Sequence, residues 1–73
     1  MEDMRVTATQ KFRRNLAREM KSRDLTQREF ARMAKVTYPY VNRILTGKSF
    51  RPSLDMVEQF AKALGMQVAD LIA

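Results

Sequence analysis

The sequence predicts an all-α fold, a compact bundle of four to five short helices covering residues 9–73, with residues 1–8 as a flexible N-terminal arm. Three observations predict it. Apolar residues recur at i, i+3 and i+4 spacing in successive segments, as in helices with one buried stripe. A hydroxyl side chain suited to helix capping stands before four of these segments, at Thr9, Thr26, Thr37 and Ser53. Short breaks, several with glycine or proline, separate them.

Residues 1–8, MEDMRVTA, show neither period nor cap pattern and read as a frayed terminus, with Arg5 within reach of a ligand if the arm takes part in binding. The first helix is expected over residues 9–23 behind Thr9. Phe12, Leu16 and Met20 form its stripe, with Ala17 beside them, and Lys11, Arg13, Arg14, Arg18, Lys21 and Arg23 fill the rest. A membrane-surface role for this basic helix is disfavoured by its narrow stripe and its lack of tryptophan.

The second helix is expected over Gln27–Lys35, with Phe30, Ala31, Met33 and Ala34 apolar. Thr26 and Glu29, three residues apart, make a capping box. A tight break at Lys35–Thr37 leads to a third helix over Tyr38–Leu45, capped by Thr37 and carrying Pro39 in its first turn, where a missing N–H costs nothing. Val41, Ile44 and Leu45 lie on one side of it, leaving Tyr38, Pro39, Asn42 and Arg43 facing outward. Gly47 is expected to end this helix as a C′ glycine would. The loop Thr46–Ser53 brings Lys48, Ser49 and Arg51 together without an acid.

Ser53 caps a fourth helix in which Leu54, Val57, Phe60, Ala61 and Leu64 close the core, and Gly65 ends it. A last helix over Met66–Ala73 carries Val68, Leu71 and Ile72. This is more apolar surface than a chain end needs, so part of it is expected to pair with a second copy.

Composition narrows the chemistry. The chain has no cysteine and no histidine, so it offers no disulfide or thiolate, lacks the usual base of serine and cysteine triads, and shows no metal-ligand cluster. No cofactor and no small-molecule ligand are expected. No apolar run approaches the roughly 18 residues of a membrane helix, and no signal-peptide hydrophobic region is present, so a cytoplasmic location is expected. The formal net charge is +6. Residues 1–35 hold ten Lys/Arg against five Asp/Glu, residues 36–52 three basic residues and no acid, and residues 53–73 one against three. Charge of one sign concentrated around the third helix favours a polyanion as partner over mere solvation. An outward face of aromatic, amide and guanidinium groups without acid is suited to base edges.

The run Leu25-Thr26-Gln27, Phe30-Ala31, Val36-Thr37, Val41-Asn42-Arg43-Ile44, Gly47-Lys48, Pro52-Ser53-Leu54 and Ala61-Lys62-Ala63-Leu64-Gly65 resembles the lambda-repressor/Cro-type helix-turn-helix family. The likeness spans about residues 10 to 72 and includes the flanking helices. It implies a sequence-specific regulator of transcription that binds a double-stranded DNA operator, a small bacterial or phage repressor acting as a homodimer and not an enzyme. An antitoxin that binds operator DNA and a partner toxin is the alternative, and RNA or non-specific nucleic-acid binding a third.

By the same resemblance Tyr38, Pro39, Asn42 and Arg43 face bases. Arg43 would fork onto guanine, Asn42 pair with adenine or a phosphate, and Pro39 touch a thymine methyl. Gln27 would bind a phosphate and brace the reading helix. Arg28, Tyr40, Lys48, Ser49, Arg51, Arg13 and Arg14 would face phosphates, and Val68, Leu71 and Ile72 a second copy. Family members often carry Gln or Ser where Tyr38 and Pro39 stand, so the site read should differ.

The family also frequently sets an arginine on the first helix against a glutamate ending the third; Met20 and Leu45 stand there instead. Joint apolar replacement of a buried ion pair is often neutral or stabilising, whereas one member alone is costly. Met20 and Leu45 are therefore expected to touch, and Leu45→Glu to lower the midpoint of urea unfolding; an unchanged midpoint would contradict this.

Overall fold

A computed structural model describes residues 7–47 and 50–73. It contains five helices, α1 (Ala8–Ser22), α2 (Gln27–Ala34), α3 (Tyr38–Thr46), α4 (Leu54–Leu64) and α5 (Val68–Leu71). Helix α3 packs on α2 and α1, α4 packs on α2 and α5, and α5 returns to α1. Residues 1–6 of the expected arm, Arg5 included, and the loop residues Lys48 and Ser49 lie outside the described residues.

Four helices begin on a hydroxyl cap. Thr26 Oγ1 accepts the Glu29 N–H at 3.0 Å while the Glu29 carboxylate accepts the Thr26 N–H at 2.8 Å, so the expected capping box is complete. That backbone bond first, and the Thr26 side chain second, hold the Glu29 carboxyl below its ordinary range. A depressed carboxyl contributes stability that is present at neutral pH and lost as acid protonates it. Thr37 and Ser53 cap α3 and α4 as expected, through the Tyr40 and Met56 N–H groups. The cap of α1 is Thr7 instead of Thr9. Thr7 and Gln10 form a second capping box, with bonds of 3.1 and 2.9 Å, because glutamine serves at N3 as glutamate does.

Phe60 of α4 is fully buried at the centre of the core. Its ring lies 5.9 Å from Phe12 of α1, 4.9 Å from Phe30 of α2 and 6.3 Å from Tyr40 of α3. Leu16, Met20, Ala31, Ala34, Val41, Ile44, Val57, Ala61, Leu64 and Leu71 complete the buried cluster, and Leu45 packs against it. Met20 and Leu45 thus meet the same core. Three residues assigned by spacing to the buried stripes lie outside the core: Ala17 is exposed, Met33 is 42% and Leu54 66% exposed. Met33 and Leu54 sit at the margin of their helix's buried stripe.

Side chains from one helix cap the ends of others. Helix α2 ends on Lys35, whose φ of 59° is left-handed, and Gln59 of α4 donates to the Ala34 carbonyl. Asn15, buried in α1, donates from Nδ2 to the Leu71 carbonyl at 2.9 Å and the Ala73 carbonyl at 3.1 Å, and accepts from Arg18 at 2.7 Å. A polar group in a core is stable only when so partnered. Helix α5 is a single turn, and Asn15 supplies the donor for its terminal carbonyls. Asn15→Ala should cost about 1–3 kcal/mol in chemical denaturation and speed amide exchange in α5 ahead of α2 and α3. Uniform exchange would contradict a local clamp.

Candidate nucleic-acid interface

Thr37 leaves the Lys35–Thr37 break in extended conformation, with φ −82° and ψ 152°, and its hydroxyl fixes the first turn of α3. Burial of Val41 and Ile44 then sets the helix's rotation. Tyr38, Pro39, Arg43 and Thr46 are exposed as a consequence, and Asn42 is half-buried. The structure therefore brings the four residues expected to meet bases onto the outer side of one short helix, with no acid anywhere between Val36 and Ser53.

Three of these side chains are held by neighbours. Asn42 Nδ2 donates to Gln27 Oε1 across the two helices at 3.0 Å. Gln27 opens α2, so the bond ties the first turn of one helix to the middle of the next. Asn42 keeps a second N–H and its Oδ1, the donor–acceptor pair an adenine edge requires. Gln27 keeps its Nε2 protons, beside the unpaired N–H groups of an α2 first turn that attracts anions.

Tyr38, 37% exposed, carries the Arg28 guanidinium 4.5 Å above its ring. One face of Tyr38 is thereby covered, and Arg28 is held beside the start of α3. Arg43 lies 4.8 Å above the ring of Phe50. A cation held over a ring in this way does not spend its N–H groups, which remain free to fork.

Other expected residues are placed differently. Arg13, half-buried, donates from Nε to the Ile44 carbonyl at 3.1 Å and from a terminal nitrogen to the Gly47 carbonyl at 3.4 Å. Its guanidinium supports the C-terminal end of α3 from below. Arg14 is exposed but donates to the main-chain oxygen of Ala73 at 3.3 Å, toward α5. Tyr40 is half-buried, its ring edge-on to Phe50 at 5.4 Å, and burial raises its phenol pKa. Arg51 is exposed in the loop beyond.

Gly47 is not left-handed. Its φ is −86°, and glycine is required there by close approach: a Cβ would stand 2.7 Å from the Arg43 carbonyl oxygen.

Of the residues expected at a subunit contact, Leu71 is wholly buried in its own chain and closed to a second copy. Val68 and Ile72 are half-buried and, with Pro52 and Leu54, line a groove of about 220 Å³ over Phe12. Asn15, Phe50 and Leu54 were not expected in their observed places. Only Asn15 carried a signal, since it stands three residues after Phe12 and one before Leu16, on the buried stripe.

Among the described residues no helix is long and apolar enough to cross a membrane, and no group of three His, Cys, Asp or Glu side chains could hold a metal ion. A family model described as helix-turn-helix matches residues 16–71. No curated protein and no solved structure matches the chain.

Arg13 supplies donors to two carbonyls at the end of α3, so Arg13→Met should lower stability by about 1–3 kcal/mol, read from urea unfolding, with faster amide exchange in the last turn of α3. Wild-type stability would show that the contact carries no weight.

Proposed function

The chain belongs to the helix-turn-helix family of DNA-binding regulators, of the Cro/C1 type, and from that premise we propose that it is a sequence-specific repressor of bacterial or phage origin. It acts by occupying an operator in double-stranded DNA, with α3 in the major groove. One observation carries this reading: α3 buries Val41 and Ile44 and turns an acid-free face of Tyr38, Pro39, Asn42 and Arg43 outward, with Asn42 tied to Gln27.

The major groove distinguishes all four base pairs by their donors and acceptors, so a helix presenting an amide and a guanidinium can discriminate among them. Arg43 forks onto guanine. Asn42 addresses adenine with the N–H and oxygen left after its bond to Gln27. Pro39 offers apolar contact to a thymine methyl, and Tyr38 lines the groove edge. Phosphates fix the register without carrying sequence information. Gln27, Arg28 and Arg51 supply those contacts, with Lys48 and Ser49 from the same acid-free loop. Arg13, engaged under α3, acts by holding the helix.

A second copy completes the site. The apolar groove around Leu54, Val68 and Ile72 seats it, and a two-fold pair sets the two α3 helices one turn of DNA apart, about 34 Å.

Selection of bound duplexes from a random pool should enrich one two-fold sequence with an affinity at least about 10³ above random DNA. Equal competition by random DNA at moderate salt would reduce the reading to generic binding. Arg43→Ala should cost about 1–3 kcal/mol and relax preference at one base position, whereas Arg51→Ala should weaken binding to all sequences and reduce the salt slope by about 1. Equal losses on cognate and scrambled duplexes for Arg43→Ala would remove it from the base-reading set.

A further inference from the structure

We propose that Phe50 is a positioning residue that sets base specificity: its ring holds the Arg43 guanidinium in the plane from which it reads a base. The role rests on Arg43 meeting a base edge, as proposed above. An exposed arginine on a helix samples many rotamers, and ordering it on binding costs conformational entropy. Here its conformation is already defined. The Arg43 Cζ stands 4.8 Å over the Phe50 ring, and among the described residues no hydrogen bond is made to that guanidinium. The ring contact uses none of the guanidinium's N–H groups, which stay available to a base edge.

The ring is itself fixed. The Phe50 N–H donates to the Gly47 carbonyl at 3.0 Å, which ties Phe50 to the residue that ends α3. A Cβ on residue 47 would lie 3.5 Å from both Arg43 Cγ and Phe50 Cβ, so residue 47 sits directly beside the pair. Phe50 meets Tyr40 edge-on at 5.4 Å, and Tyr40 meets the buried Phe60 edge-on at 6.3 Å. A continuous line of aromatic contacts thus refers the guanidinium to the centre of the core. Arg28 on Tyr38 lacks such a line: both partners are exposed and Tyr38 begins its helix.

The test compares the full chain with Phe50→Leu, Phe50→Tyr, Arg43→Ala and the Phe50→Leu/Arg43→Ala pair, on the selected duplex and on duplexes altered at each base. Phe50→Leu should lower discrimination at the position read by Arg43 about two- to five-fold, the worth of an exposed cation–π contact. Affinity for scrambled DNA should stay unchanged, Phe50→Tyr should restore the loss, and Phe50→Leu should have no further effect once Arg43 is alanine. An equal loss on every duplex, or one that persists in the Arg43→Ala background, overturns the role. Arg43→Ala acting equally on all sequences would instead remove the base assignment of Arg43, and this role with it. Independently of any variant's folding, proton shifts of the Arg43 side chain in the wild-type protein should be displaced by the Phe50 ring current. Random-coil shifts there overturn the stacking.

Discussion

The fold depends on one side chain meeting three helices. Phe60 extends from α4 to rings on α1, α2 and α3, with none of its surface in water. A chain of 73 residues buries a smaller fraction of its surface than a larger domain does, and aromatic side chains supply the largest area per residue. Placing one such residue where four helices converge fixes their mutual angles with few contacts. The pose of α3 follows: Tyr40 touches Phe60, Val41 and Ile44 fill the space toward α1 and α2, and the remaining side chains face out. The surface proposed to meet DNA is what the core leaves over, and its precision is inherited from the core.

Short helices have a high proportion of unsatisfied end groups, since the last four carbonyls of each lack an internal partner. In this molecule Gln59 serves the end of α2, Arg13 the end of α3 and Asn15 the end of α5. These bonds join elements far apart in sequence and stiffen a bundle whose core alone is modest. They also qualify what net charge reveals. Arg13 counts toward the +6 of the chain, yet its donors serve the protein's own carbonyls, so a basic balance indicates the class of partner better than it indicates the individual contacts.

Local signals were legible and distant ones were not. The Thr26–Glu29 box, the Thr37 cap, the Lys35–Thr37 break and the end of α4 at Gly65 depend on residues within one turn of each other, and all are found in the structure. The outward face of α3 followed from the same local periodicity. Thr7 and Thr9 offer the same hydroxyl two residues apart, and only Gln10, three residues after Thr7, marks which of them caps α1. Leu54 and Met33 have the right spacing for burial, but whether a marginal position is covered depends on where the next helix lies. Leu71, expected to meet a second copy, goes entirely to the core for the same reason. Gly47 fits a helix end in sequence; only the approach of the Arg43 carbonyl oxygen explains why glycine is needed there.

The most direct test of the central claim is a nuclear magnetic resonance titration of the full chain with its selected duplex. Backbone and side-chain amides of Gln27, Tyr38, Asn42 and Arg43 should shift most, together with the loop around Arg51, while those facing the Phe60 core should stay in place. Shifts concentrated on the outer faces of α1 and α4, with α3 unmoved, would contradict a reading helix that begins at Tyr38.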